Sequence, residues 1–236
     1  MLKYLDAPDI RARWKSAVRR HPRLTRTLQF IFDPAFVQHT ARNQLIAGLP
    51  ERARILNLGA GVKKFNRPTV NLDLEPYSGV DLVADGQRLP FGDESFDLIL
   101  VEYVVEHVRD STDIVNELHR VLKRGGIVYA TVPFMQSYHG NPDDFYRFTI
   151  SGFREFWRQF DPVACKTFGG PASALVCSVK EFLAIALSLN SRFVYALLSQ
   201  LLIIPLFPLK YLDLLLVHSP NAHNLAFSLY YIGRKA

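Results

Sequence analysis

The sequence predicts an α/β fold: a doubly wound, mostly parallel sheet with helices on both faces. It adds a basic helical arm at the N-terminus and an apolar helical region towards the C-terminus. Three observations carry this. From residue 54, short β-rich apolar runs alternate with helical stretches, as parallel strands joined by crossover helices do. The first run, "ILNLGAG" at 55–61, breaks into Gly-Ala-Gly, the way nucleotide-binding folds bring backbone against a ligand. The net charge of +6 is concentrated in residues 1–30, which hold eight Lys/Arg against two Asp.

Within the arm, Ile10, Trp14 and Val18 recur every four residues beside Arg11, Lys15 and Arg19, as on a basic amphipathic helix. Such a helix can lie on anionic lipid or touch RNA, or pack Trp14 on its own domain. The expected strands are Arg54–Leu58, Thr69–Leu72, Asp81–Val83, Phe96–Val101 and Ile127–Val132. Between the last two a helix is expected, capped by Ser111 or Thr112. Its stripe is Ile114, Leu118, Val121 and Leu122, and Lys123-Arg124-Gly125-Gly126 closes it. This divides the chain into an arm (1–40), a ligand-binding α/β domain (41–170), and an apolar helical insertion with a terminal strand completing that domain (171–236).

Between Arg192 and Lys210 lie 17 consecutive uncharged residues, at the lower limit of about 17–25 for a membrane-spanning helix. Two prolines, a Ser and a Gln weaken the spanning reading. A helix pair lying in a membrane interface, or packed as a lid, is expected instead, with the interface favoured by the basic arm. Cys165 and Cys177 have no CxxC spacing, and "MLKYLDAPDIRARWK" is charged where a signal peptide is apolar, so a cytoplasmic setting is expected, with peripheral contact at the inner face of the membrane.

The glycines point to a nucleoside. A dinucleotide fingerprint needs a third glycine where Lys64 stands, and a P-loop needs Gly-Lys-Ser/Thr, which "GAGVKKFN" lacks. Asp73, ending the second strand in "VNLDLEPY", is placed to accept from both ribose hydroxyls, and Asp85 in "VADGQRLPF" from an adenine amino group. Each alone can equally be an Asp that caps a turn.

The segments "ILNLGAG", "VNLDLEP", "VADGQRLPFGDESFDLILVEYVVEHV" and "LHRVLKRGGIVYATVPF" together resemble the class I S-adenosylmethionine-dependent methyltransferases, particularly the small bacterial type-11-like group. The resemblance implies a Rossmann-like methyltransferase sheet and S-adenosyl-L-methionine as cofactor. It puts Gly59, Ala60 and Gly61 on the methionine part, Asp73 on the ribose and Asp85 on the adenine, with Asn57, Leu74, Gly86 and Glu102 completing the pocket. Two departures stand out: the family usually has Asp or Glu where Asn57 is, and often a glycine where Lys63 is.

Methyl transfer from a sulfonium is a direct displacement that requires alignment and, for a hydroxyl, proton removal. The residues for it belong at the C-terminal ends of strands four and five, hence Glu102, Tyr103, Glu106, His107 and the segment Tyr138–Arg147. "YHGNPDDFYRFT" reads as an active-site loop. His139 is the first candidate for the base, with Asp143 or Asp144 orienting or replacing it, and Tyr146 and His107 as further candidates. The bland reading makes Asn141-Pro142-Asp143-Asp144 a turn capping a helix at 151–158, and His107 a tie between loops. No HxxxH or clustered carboxylate spacing argues for a metal, and none is expected.

The place of the Asn/Asp-Pro-Pro-aromatic motif of nucleic-acid amino-methyltransferases reads "LVEYVVEH", and neither cysteine follows a proline, so nucleic-acid methylation is disfavoured. The "DDFYRFT" loop and the tail "KYLDLLLVHSPNAHNLAFSLYYIGRK" are similar to those of methyltransferases of bacterial cell-surface glycan pathways. O-methylation of a glycan or lipid-linked sugar is therefore the leading expectation. The alternatives are a quinone, lipid or other small-molecule acceptor, and a non-catalytic, membrane-associated partner protein with this fold.

Overall fold

The computed structural model describes residues 33, 35–37, 39–63, 65–140 and 143–236. The basic arm with Ile10, Trp14 and Val18, and also Lys64, Asn141 and Pro142, lie outside the described residues.

Seven strands form one sheet in the order β3-β2-β1-β4-β5-β7-β6. They are β1 (Ile55–Leu58), β2 (Val70–Asp73), β3 (Leu82–Val83), β4 (Phe96–Glu102), β5 (Leu122–Pro133), β6 (Asp161–Gly169) and β7 (Ser228–Arg234). The first five are parallel, while β7 inserts antiparallel between β5 and β6. Strand order reverses between β1 and β4, which opens the crevice at the carboxyl ends of those strands where such sheets bind ligands. The central strands read as unbroken apolar runs because both faces are covered. Leu56, Ile99, Val101 and Val128 pack on one face, and Ile55, Leu98, Leu100 and Tyr129 on the other.

Helix α1 (Thr40–Gly48) covers the second face through Ala41, Leu45 and Ile46. Helix α2 (Thr112–Val121) covers the first through Ile114, Val115, Leu118 and Val121. The expected helix is thus present, with two corrections. Ser111 stands at its N-cap but makes no side-chain bond to it. Leu122 belongs to β5: its backbone is extended and it pairs with Phe96. The Gly125-Gly126 pair does not close the helix either; it lies inside β5, bonded through Gly125 N and Gly126 O to Lys235.

Helix α3 (Ile150–Phe156) is capped by Thr149, whose hydroxyl accepts from Gly152 N at 3.1 Å. The Asp143–Asp144 turn is therefore not its cap. An aromatic cluster of Phe153, Trp157, Phe160 and Tyr231 locks α3 to the antiparallel edge of the sheet.

The apolar stretch forms α4 (Pro171–Leu187), α5 (Arg192–Leu201), α6 (Ile203–Leu206), a 3-10 turn (Phe207–Leu212) and α7 (Asp213–Leu216). Arg192–Leu216 is long and apolar enough to cross a membrane, with mean hydropathy 1.7, yet it is divided among these short helices and packs back on α4. Asp213 makes that packing specific. Its buried carboxylate accepts from Ala172 N, Ser173 N and Ser173 Oγ, so α7 caps the first turn of α4. Gly170 permits the approach, since a Cβ there would lie 2.3 Å from Asp213 Oδ1. The outer side stays apolar: Phe182, Ile185, Phe193, Leu197, Ile204 and Leu215 are all exposed.

Candidate active site

The β1 loop is shaped by two glycines in the left-handed region, Gly59 at φ +68° and Gly61 at φ +55°. Gly59 has no room for a side chain, because a Cβ would sit 2.3 Å from Val104 Cγ2. Gly61 is the opposite case, with open space where its Cβ would be. The loop is tied to β2 by Ala60 N donating to Leu72 O and by Gly61 N donating to Asp73 Oδ2 at 2.7 Å. Asp73 Oδ1 takes Glu75 N at 3.1 Å. The carboxylate is thereby held in one orientation beside the glycine loop, with lone pairs left for further donors. Leu74 next to it is 63% exposed, an apolar side chain at the crevice.

Asp85 Oδ1 accepts from Gln87 N at 2.9 Å, so it does close a turn, and its side of the loop is exposed. Gly86 packs closely on β1: a Cβ there would meet the Leu58 methyls at 3.1 and 3.2 Å. Asn57, buried at the end of β1, donates to Asn71 Oδ1 across to β2.

At the end of β4, buried Glu102 receives Arg42 Nη1 on both oxygens at 3.0 Å and Lys63 Nζ at 3.0 Å, with His39 Nδ1 3.7 Å away. Burial opposes its ionisation, but Lys63 and Arg42 outweigh that and hold its pKa below the ordinary carboxylate value. Tyr103 follows at φ +57°, a left-handed conformation uncommon for a residue with a Cβ, and its burial raises the phenol pKa.

The acceptor side is built from the 3-10 turn Val105–His107 and the loop after β5. Glu106 is fully buried, its carboxyl pushed up to about 8 chiefly by burial. His107 Nε2 and His139 Nε2 each stand 3.9 Å from Glu106 Oε1. Asp144 accepts from His139 N at 2.9 Å, lies 3.3 Å from His139 Nδ1, and is gripped by both terminal nitrogens of Arg147. Burial alone would raise the Asp144 pKa; the bonds from Arg147 and His139 N bring it down to about 2. Burial lowers the His139 pKa, although Asp144 works against it. Arg147 also donates to the carbonyls of Gln136 and Ser137, which pins the loop. A cavity of about 330 Å³ adjoins, lined by Gln136, Tyr138, Asp144, Phe145, Tyr146 and Arg147.

Residues 60–130 match the family described as "Methyltransferase domain". These residues thus carry the sequence pattern of a methyltransferase domain. It is 30% identical over 100 residues to an uncharacterized protein of Methanocaldococcus jannaschii, covering 38% of this chain and 49% of that one. It is 34% identical over 56 residues to the demethylmenaquinone methyltransferase of Lysinibacillus sphaericus, covering 23% of this chain and 24% of that one. The matches thus span less than half the length of these curated relatives. Among solved structures, phosphoethanolamine N-methyltransferase 2 of Haemonchus contortus, in complex with S-adenosyl-L-methionine, shares the fold. The TM-score is 0.53 at 16% identity, over 88% of this chain and 56% of that one.

The residues expected for the cofactor gather at the carboxyl ends of β1, β2 and β4, with Asp85 after β3. Of the expected catalytic residues, His107, His139 and Asp144 come together around Glu106. Asp143 reaches the group through its backbone oxygen, 2.5 Å from His107 Nδ1, and so ties the two loops. Tyr146 turns away and donates to Arg109 O. Arg42 and His39 are the residues that sequence reasoning missed. They precede the motif block and meet Glu102 only through the fold, so no local pattern marks them.

Proposed function

We propose that the chain binds S-adenosyl-L-methionine and transfers its methyl group to an oxygen of a glycan or lipid-linked sugar. The observation that carries the cofactor assignment is Asp73. It is a carboxylate fixed by Gly61 N at the crevice edge of β2, beside a glycine loop with open space and an exposed Leu74. Asp73 would accept from the ribose hydroxyls, Asp85 from the adenine amino group, and the Gly59–Gly61 loop would pass the methionine end. Asn57, Leu74 and Glu102 would complete the wall, and Gly86 would support it from behind.

Transfer forms the O–CH3 bond with an oxygen lone pair while the S–CH3 pair stays on sulfur, giving S-adenosyl-L-homocysteine, and the hydroxyl proton leaves. His139, oriented by Asp144 and placed with His107 beside Glu106, stands where that proton departs; Asp143 and Tyr146 support the loop from its backbone and rim. A sugar suits the adjoining cavity, whose Gln136 amide can bond hydroxyls and whose aromatic rings can stack on a sugar face. The exposed apolar side of α4–α7 would rest on the membrane that carries a lipid-linked acceptor, with the basic arm on anionic headgroups.

A quinone acceptor is the second reading, favoured by the relative named demethylmenaquinone methyltransferase. Calorimetric titration with S-adenosyl-L-methionine, wild type against Asp73→Ala, tests the cofactor. Labelled-methyl transfer to lipid-linked sugars and to demethylated quinones then separates the acceptors. Folded wild type that binds no S-adenosyl-L-methionine would sink the enzyme reading and leave a membrane-associated partner protein.

A further inference from the structure

Three donor atoms converge at the acceptor end of the site without a hydrogen bond among them. His107 Nε2 and His139 Nε2 are each 3.9 Å from Glu106 Oε1, beyond hydrogen-bond reach, and all three lie within 4.8 Å of one another. Glu106 is fully buried, and neither of its carboxylate oxygens has a hydrogen-bond partner among the described residues. A buried ionised carboxylate left this way is costly, and a cation placed before it removes the cost.

Both imidazoles are turned to present a lone pair there. His107 Nδ1 stands 2.5 Å from the carbonyl of Asp143, which can only accept, so Nδ1 carries the proton and Nε2 is bare. His139 Nδ1 faces Asp144 Oδ2 and the Ser137 carbonyl, each at 3.3 Å. The nearby Arg147 Nη2 already gives its two N–H bonds to those same oxygens, so it does not need His139 as an acceptor. His139 Nε2 is therefore bare as well. Histidines whose second nitrogen is held by a carboxylate or carbonyl are oriented as metal-ligating histidines are.

We propose that Glu106, His107 and His139 form a binding site for a divalent first-row transition-metal ion, with Zn²⁺ as the probe. Two imidazoles and one carboxylate suit such an ion, whereas Mg²⁺ and Ca²⁺ favour all-oxygen shells. With zinc–donor distances of about 2.0–2.2 Å, tetrahedral donors lie roughly 3.4 Å apart, so the two Glu–His pairs need to close by about 0.5 Å and the His–His pair by at most about 1.4 Å. Asp144 and its Arg147 clamp hold His139 from behind, and three protein ligands leave a fourth position for a further donor. The ion's role rests on the methyl-transfer reading. With the ion bound, His139 would act as a ligand and no longer as the proton acceptor: the acceptor oxygen would take the fourth position, its acidity raised by the ion, and give up its proton to water.

The test is calorimetric titration of the tag-free full chain, stripped by chelator, with ZnCl2. One ion per chain is expected, with at least tenfold weaker binding in Glu106→Gln and in His139→Asn, and no change in His223→Asn, which lies outside the cluster. Loading with Co²⁺ should give visible absorption bands that the same two variants lose. If Glu106→Gln fails to fold by circular dichroism, His107→Gln replaces it. Wild type that binds no stoichiometric zinc, or variants that bind like wild type, would overturn the site. S-adenosyl-L-methionine binding, measured on the same samples, keeps the failures apart: intact cofactor binding without zinc binding refutes only the metal site, and the reverse refutes only the methyl-transfer reading.

Discussion

Gly59→Ala perturbs the glycine loop in two separable ways, and the structure says how to separate them. An L-residue at φ +68° pays a left-handed penalty of roughly 1–2 kcal/mol. Its Cβ, 2.3 Å from Val104 Cγ2, adds an overpacking cost of about 1–3 kcal/mol. Together this is about 2–5 kcal/mol, a large share of the roughly 5–15 kcal/mol typical of a domain. Removing the γ-methyls of Val104 leaves Val104 Cβ, at 3.5 Å in ordinary contact, as that residue's nearest atom to the new Cβ. Val104→Ala alone should lose about 1–2 kcal/mol for two partly buried methyls. The double variant should recover the overpacking part, giving a coupling of about 1–3 kcal/mol that favours it over the sum of the singles. Urea unfolding of the four proteins, followed by tryptophan fluorescence with Trp157 in the aromatic cluster, measures this cycle. Effects that add within about 0.5 kcal/mol would refute the steric argument, as would a Gly59→Ala cost below about 1 kcal/mol.

Asp73→Asn should weaken S-adenosyl-L-methionine binding about 10- to 100-fold, since bonds to a charged acceptor contribute about 1.5–3 kcal/mol; calorimetry reads it, and unchanged affinity would remove Asp73 from the ribose site. Asp213→Ala strips three bonds from the first turn of α4 and should cost roughly 2–3 kcal/mol, with hydrogen exchange showing α4 and α5 losing protection before the sheet does. Glu117 has its pKa lowered by the bond from Arg120, so its contribution to stability is present above its unfolded value near 4.5 and fades as pH falls through the lower folded value. Glu117→Gln should be less stable than wild type at pH 7, and the gap between them should narrow as pH drops below about 4.5 in urea-melt series.

The parallel half of the sheet was legible because its strands are buried on both faces and so appear as apolar runs between turn residues. Asp73 and the glycines were legible for a related reason: backbone geometry there tolerates few residue types. Leu122 shows where pattern fails. Its side chain is buried in either assignment, so hydropathy could not say that α2 ends at Val121 and the strand starts at once; only pairing with Phe96 decides it. The Glu106–His107–His139 group was half legible. Each residue stood out as polar chemistry near a strand end, but Glu106 and His139 lie on different loops, and their approach depends on Arg147 fastening the second loop through Asp144 and the Gln136 and Ser137 carbonyls. The long apolar run 193–209 was ambiguous between membrane and lid because length and hydropathy do not encode where prolines and a buried Asp213 fold it back.

The two departures from the usual motif belong together once the fold is known. Asn57 makes the end of β1 neutral and spends its side chain on Asn71. Lys63, where a glycine is common, brings a cation into the loop, and an acid at 57 is not what balances it. The balance comes one strand over, from Glu102 at the end of β4, which also holds Arg42 from α1. The pocket beside the glycine loop thus keeps one buried carboxylate but surrounds it with two permanent cations. On the proposed reading, a zwitterionic methionine end, carrying both an ammonium and a carboxylate, would meet charges of both signs here: Glu102 for the first, Arg42 and Lys63 for the second. On the cofactor reading proposed above, the charge missing at the two motif positions would thus be supplied from a neighbouring strand.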